Sequence, residues 1–169
     1  MAEPRDIYLQ PGELQLVAEP AIIRTILGSC VGITFLHREL GLGGMCHPML
    51  PSSASLGKSS QPAEDCTRFV DCAIHEMARR LDAHGAPRNS VEVKLFGGGD
   101  VLPVHGASRR ATVGRLNCEM ALRILKAAGF QIAASSLGGK CGVNIRFDTD
   151  TGEVLLRRLG SNNPQAAKD

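Results

Sequence analysis

Tryptophan is absent from the 169 residues, tyrosine occurs once (Tyr8) and phenylalanine five times. So few aromatic faces leave no stacking platform of the kind that single-strand nucleic acid binders use. The charge balance points the same way. With 19 basic and 17 acidic side chains the formal net charge is +2, and no dense basic face exists to neutralise a phosphate backbone. No apolar run reaches the roughly 20 residues needed to span a bilayer. Met1 to Asp6 holds two acids, Glu3 and Asp6, and no apolar signal core. These absences together predict a cytoplasmic protein with no nucleic acid partner and no membrane insertion. Cysteine is not scarce, but none of the six (Cys30, Cys46, Cys66, Cys72, Cys118, Cys141) forms a CxxC pair, which argues against zinc and thioredoxin-like chemistry. In a reducing compartment they are expected as free thiols, most of them acting as small buried hydrophobes. No metal and no cofactor is expected.

What is present is a chain of one-domain size with short strand signals in its first half. Leu14 to Val17, Ile22 to Leu27 and Val31 to Leu36 are apolar runs bounded by Gly, Glu-Pro and Gly. Leu42 to Leu50 follows as a further strand, in which Gly43 and Gly44 permit close backbone approach and Pro48 limits its extent. Pro51 to Pro62 is rich in Ser, Gly and Pro and is expected as an exposed loop. Phe69, Ala73, Met77 and Leu81, with Val70 and Ile74 beside them, predict an amphipathic helix over 65–84 with Gly85 behind it. Val91, Val93 and Leu95 alternate with polar residues, giving a strand over 90–96 that runs into Gly97-Gly98-Gly99. A second helix is expected over 112–128, with Val113, Leu116, Met120, Ile124 and Ala127 on its core face. A strand over 130–135 follows. Val143 to Phe147 and Val154 to Leu156 then form a hairpin. The fold expected is an α/β (α+β) sandwich, mostly strands in layered sheets with two main helices. One domain is placed at 1–160, with a polar tail from Ser161 to Asp169.

Several motif matches fail. Asp148, Asp150 and Gly152 do not make a calcium loop, because Gly falls one position early and Leu159 stands where a bidentate Glu is required. The Gly97-Gly98-Gly99 run is neither a dinucleotide nor a phosphate-loop motif, and close backbone approach is the better reading. Ser29 is not in a nucleophile elbow, since Leu27 stands two residues before it where that motif has Gly.

What remains is Cys30 in Leu27-Gly28-Ser29-Cys30-Val31 and His47 in Gly43-Gly44-Met45-Cys46-His47-Pro48-Met49-Leu50-Pro51. If the three runs Ile22–Leu27, Val31–Leu36 and Leu42–Leu50 are neighbouring strands, Cys30 and His47 meet at one sheet edge. A base beside a thiol raises its thiolate fraction, and the thiolate is the attacking species in acyl transfer. Backbone N–H groups around Gly28 and Ser29 are candidates to face an oxyanion. On pattern alone a structural cysteine and a hydrogen-bonded histidine would look the same. His37, His75, His84 and His105 have no matching thiol and are expected as surface or packed core groups. A metal site from Cys30, Cys46 and His47 is disfavoured, because adjacent side chains on a strand point to opposite faces.

The same segments resemble the CheD family, the bacterial chemoreceptor glutamine deamidases. The resemblance continues in Lys94-Leu95-Phe96-Gly97-Gly98, in Gly114 with Asn117, in Gly138-Gly139-Lys140 and in Phe147 to Val154. It implies a cysteine hydrolase with an α/β sandwich fold that acts on Gln side chains in chemoreceptor cytoplasmic helices, with Cys30 as nucleophile and His47 as its base. It also implies a CheC-type phosphatase as partner. A threonine upstream of the cysteine is the family's third site residue. Thr25 or a neighbour fills that place here, and on a strand a shift of one residue would reverse the side it faces. Cys46 departs from the family pattern, as does Cys66 to Asp71, which lacks the Tyr that commonly precedes the family's Asp. The rival readings are an idle-site adaptor that only binds a CheC-type protein or receptor, and a small thiol protease or transglutaminase.

Overall fold

A computed structural model describes residues 3–56, 63–101 and 111–160. The predicted tail at 161–169, His105 and residues 57–62 of the expected loop lie outside the described residues. The strands are β1 (Arg5–Tyr8), β2 (Leu14–Val17), β3 (Ala21–Leu27), β4 (Val31–His37), β5 (Leu42–Cys46), β6 (Glu92–Gly97), β7 (Gln131–Leu137), β8 (Val143–Asp148) and β9 (Val154–Arg158). The α-helices are α1 (Val70–Ala83) and α2 (Val113–Ala127). One sheet has the order β1-β3-β8-β9 and the other β2-β5-β4-β6-β7. Among the described strands β1 with β3 and β6 with β7 run parallel, and the other pairs are antiparallel.

Two apolar clusters make three layers of this chain. Ile23, Leu27, Ile145 and Phe147 of the four-stranded sheet meet Leu36, Met45 and Phe96 of the five-stranded sheet. On the other side Val31, Ile33, Phe35, Val93 and Leu95 pack under Ile74, Met77 and Leu81 of α1 and Ala121 and Leu125 of α2. The result is an α+β sandwich of sheet, sheet and helices. Strand β4 lies between both clusters and is buried along its whole length, which is why its sequence is almost continuously apolar. Each fully buried Phe or Ile contributes about 1.5–3 kcal/mol relative to exposure.

The structure differs from the expected strand arrangement in a way that bears on the site. β4 and β5 pair, with Ile33 opposite Cys46, but β3 belongs to the other sheet, paired to β1 and β8. The chain therefore changes sheets at Gly28-Ser29-Cys30. The reason lies in patterning: Arg24 and Ile26 of β3 face outward, so β3 suits a sheet with one wet face and β4 a sheet covered on both. β5 also ends at Cys46, four residues before the expected Leu50, as Pro48 cannot donate to a ladder.

The first helix starts later than expected. Residues 63–68 form a 3-10 helix, and the Arg68 carbonyl accepts from the N–H groups of Met49 (2.7 Å) and Leu50 (3.1 Å), which holds the chain out of α-helical register until Val70. Cys66 and Cys72, expected as free thiols, are joined as a disulfide with Cα atoms 5.7 Å apart; the 3-10 turn is what brings them together. Ser53–Leu56, expected as loop, is a short 3-10 helix as well.

The core face of α2 is also corrected. Gly114, Asn117, Cys118, Ala121 and Leu125 are buried, whereas Val113 and Leu116 are exposed. Gly114 explains the roll, because a Cβ there would come within 2.7 Å of the Gly98 carbonyl oxygen and 2.5 Å of that of Gly99. Strand β1 went unpredicted, since only Ile7 in it points inward.

Candidate functional site

Thr25 is the inward-facing residue between Arg24 and Ile26, and it is 1% exposed. Its hydroxyl donates to the Leu9 carbonyl at 2.7 Å and lies 2.8 Å from His47 Nδ1. A hydroxyl has one proton. With that proton on Leu9, Thr25 Oγ1 must accept from the imidazole, so His47 holds its proton on Nδ1 and a lone pair on Nε2. Nε2 is buried and has no hydrogen-bond partner among the described residues. Burial lowers the His47 pKa from 6.5 to about 4, against weaker opposing effects of the Leu9 backbone and the Glu13 charge. The ring is therefore neutral at pH 7.

His47 leaves β5 on a loop tied at both ends. Its N–H donates to Glu13 O at 3.0 Å, and its carbonyl accepts from Gly12 N–H at 2.7 Å. The next residues reach the cysteine segment: Val31 N–H donates to Pro48 O at 3.3 Å, joining the residue after Cys30 to the residue after His47.

Three consecutive carbonyls fix the peptide planes around Cys30. Gly28 O accepts from Gly99 N–H at 2.9 Å and Cys30 O from Gly98 N–H at 2.8 Å. Between them, Ser29 O accepts from the side-chain amide of Asn117 at 2.9 Å. The glycine turn is required here: Gly97 and Gly98 have φ of 91° and 64°, and a Cβ on either would collide, with the Cys30 carbonyl or with Cys118 Sγ respectively. Cys30 itself is partly exposed. Burial raises its thiol pKa, and its own backbone N–H, close to the sulfur, works the other way.

The structure thus brings Thr25 and His47 together and joins the Cys30 and His47 segments through Val31 N–H and Pro48 O, while among the described residues the Cys30 thiol makes no hydrogen bond to the imidazole. It differs from the sequence reading in the protonation state. A raised thiol and a lowered imidazole make the resting pair neutral, in place of the thiolate expected beside a base. Cys46 belongs to the cluster under the helices, while His47 meets Thr25 of the opposite sheet, so the two neighbours point apart as expected. His37 is buried and accepts from Leu40 N–H at 3.3 Å. His84 caps α1 against Arg80 O at 2.8 Å, and His75 is exposed. Among the described residues no three His, Cys, Asp or Glu side chains are grouped to hold a metal ion. None of the described helices is long and apolar enough to cross a membrane.

Sequence reasoning gave Asn117 no role in the site. Its signal was a polar residue one turn after Gly114, hidden by the apolar periodicity of the neighbouring face.

Fold and site together define a layered α+β protein with a cysteine at a sheet switch and a threonine-held histidine on the adjoining loop. The chain belongs to the CheD family. The family model described as CheD chemotactic sensory transduction matches residues 49–158, a span that begins just after His47. A relative from Geobacter sulfurreducens, named probable chemoreceptor glutamine deamidase CheD 2, is 37% identical over 90% of this chain and 89% of its own length. One from Maridesulfovibrio salexigens, named probable chemoreceptor glutamine deamidase CheD, is 33% identical over 92% of each. A similarly named relative from Rhodospirillum rubrum is 37% identical over 91% of this chain and 82% of its own. At such coverage no more than a tenth of the chain lies outside the alignments, so they take in the Cys30 and His47 segments.

Proposed function

We propose that this protein deamidates glutamine side chains of chemoreceptors, with Cys30 as nucleophile, His47 as its base and Thr25 as the residue that orients the base. The observation that carries the residue assignment is the contact of His47 Nδ1 with a Thr25 hydroxyl whose proton goes to Leu9 O, which leaves the lone pair on a buried Nε2 that has no partner among the described residues. The names of the relatives supply the substrate class.

In the first half-reaction His47 Nε2 takes the Cys30 thiol proton as sulfur bonds to the Gln side-chain carbonyl carbon. The oxygen becomes an oxyanion, and the Cys30 N–H is the donor proposed to face it. Collapse breaks the C–N bond, His47 returns the proton to nitrogen, and ammonia leaves a thioester. Water then attacks, giving up a proton to His47; the C–S bond breaks, the thiol is restored, and the side chain is left as Glu. A resting neutral pair suits this scheme, since the charge separation occurs only when substrate excludes water and fixes the geometry.

Residues 1–160 are proposed as one catalytic domain working in the cytoplasm without metal or cofactor, and 161–169 as a tail. A CheC-type phosphatase is the proposed second partner, on the family resemblance alone; co-purification with such a protein tests it. The central test is incubation with a chemoreceptor cytoplasmic fragment, followed by ammonia assay and peptide mass spectrometry. Gln-to-Glu conversion without backbone cleavage or cross-linking is expected, and it persists after chelator treatment. Ammonia-free binding would instead leave an adaptor.

A further inference from the structure

Asn117 is fully buried on the inner face of α2. Its side-chain nitrogen donates both of its protons, one to Ser29 O and one to Met49 O, each at 2.9 Å. Both partners are carbonyl oxygens, so only the NH2 end of the amide can face them. Ser29 immediately precedes Cys30, and Met49 lies two residues beyond His47. These acceptors come from different segments: one is the switch between the two sheets, the other the loop after β5. Beyond the β4–β5 ladder, which ends at Ile33 opposite Cys46, the described residues show one further direct backbone hydrogen bond between the two segments, the long one from Val31 N–H to Pro48 O at 3.3 Å. The Oδ1 end of the same side chain is buried with no partner among the described residues. A group that leaves its acceptor end unpaired in the interior gives up free energy, and what it does accomplish there is to span the two segments.

We infer that Asn117 is a positioning residue that clamps the Cys30 segment to the His47 segment and so sets the approach of thiol and base. This rests on the assignment of Cys30 and His47 made above. The clamp is anchored by Gly114 at the start of α2. Gly114 lies against the Gly98 and Gly99 carbonyls, and the N–H groups of those two glycines bind Cys30 O and Gly28 O. A roll of α2 would therefore move the amide and the cysteine turn together. Asn117 touches no reacting atom in this arrangement. It acts on the reaction through geometry, and displacements of about 1 Å in such settings lower rates about 100-fold.

The test compares Asn117→Asp, Asn117→Ala and Cys30→Ala with the wild type, each first checked for a cooperative thermal transition. Asn117→Asp keeps the volume and shape but replaces the double donor with oxygens that face two carbonyls. At neutral pH we expect kcat to fall about 100-fold with KM little changed. Burial raises the pKa of the introduced carboxyl, so as the pH is lowered from the alkaline side it protonates and recovers one donor, and activity relative to wild type should climb. A merely structural residue would lower the melting temperature without that pH-dependent recovery. Asn117→Ala should lose kcat at every pH. If a folded Asn117→Asp protein keeps wild-type kcat and pH profile while Cys30→Ala is inactive, the clamp is overturned and the nucleophile stands. If Cys30→Ala is active, the underlying assignment fails instead. Should Asn117→Asp not fold, amide exchange decides on the wild-type protein labelled with nitrogen-15 at asparagine. Slow exchange of both Asn117 side-chain protons is expected, and rapid exchange of the pair overturns the inference.

Discussion

Thr25 Oγ1 of β3 and His47 Nδ1, on the loop that follows β5 of the other sheet, lie 2.8 Å apart, and the direction of that bond decides which imidazole nitrogen can act as a base. The Thr25 proton is already given to Leu9 O. Replacing Thr25 by Val preserves the shape and leaves two buried polar groups unpaired, at about 1–3 kcal/mol each. It also frees the ring to adopt the other tautomer. The expected outcome is a fall in kcat/KM of roughly 10- to 100-fold, largely restored in Thr25→Ser. A fully active Thr25→Val protein would show that the hydroxyl orients nothing.

The lowered pKa of His47 makes a statement about pH. The base form persists down to about 4, so the acid limb of kcat/KM should fall near that value and well below the ordinary histidine range. Stability follows with a definite sign. The folded value lies below the unfolded 6.5, so between them the unfolded chain binds the proton more readily. Stability is fully present above about 6.5 and is lost as the pH falls toward 4, by on the order of 3 kcal/mol. Denaturant titrations across that range should show a steeper loss for wild type than for His47→Gln. Parallel curves for the two proteins would contradict the buried neutral ring.

Two cysteines separate by location. Cys30→Ala should fold and release no ammonia, because a partly exposed sulfur at a turn leaves little cavity. Cys46 is fully buried and burial raises its pKa strongly, so Cys46→Ala should lose about 1 kcal/mol of stability through its cavity while deamidation continues. Mild alkylation followed by peptide mapping should link inactivation to Cys30 and spare Cys46 and Cys118. Loss of activity in Cys46→Ala as deep as in Cys30→Ala would transfer the nucleophile's role.

Gly98 supports the cysteine turn from behind. Alanine there meets Cys118 Sγ and the Gly114 carbonyl and must also hold φ at 64°. Overpacking and the left-handed backbone together predict a loss of about 2–5 kcal/mol. Gly129 offers a control, having φ of 87° and nothing within 4 Å of an added Cβ, so Gly129→Ala should lose only about 1–2 kcal/mol. Thermal melts of the two variants check the contrast; equal shifts would mean that the turn behind Cys30 has room to spare.

Much of this protein follows from its sequence by itself. Apolar runs and alternation marked every described strand except β1, and the four-residue spacing from Phe69 to Leu81 marked the inner face of α1, because both are local properties of the backbone. The Cys30 and His47 segments stood out as candidates through their family resemblance, and the glycines at 97 and 98 as a place of close backbone approach, which their contacts with the Cys30 turn bear out. The tertiary structure alone decided how they combine. Which sheet receives β3 depends on pairing with β1 and β8, far apart in the chain, so the switch at Gly28-Ser29-Cys30 could not be read locally. That switch turns Thr25, rather than a neighbour, toward His47. The apolar pattern of α2 favoured Val113 and Leu116 as core, yet steric contact at Gly114 rolled the helix and brought Asn117 inside. The Cys66–Cys72 pairing needed the 3-10 turn held by Met49 and Leu50. The neutral state of the thiol and imidazole is likewise tertiary, because a pKa shifts with burial, and burial is set by what the rest of the chain places around a side chain.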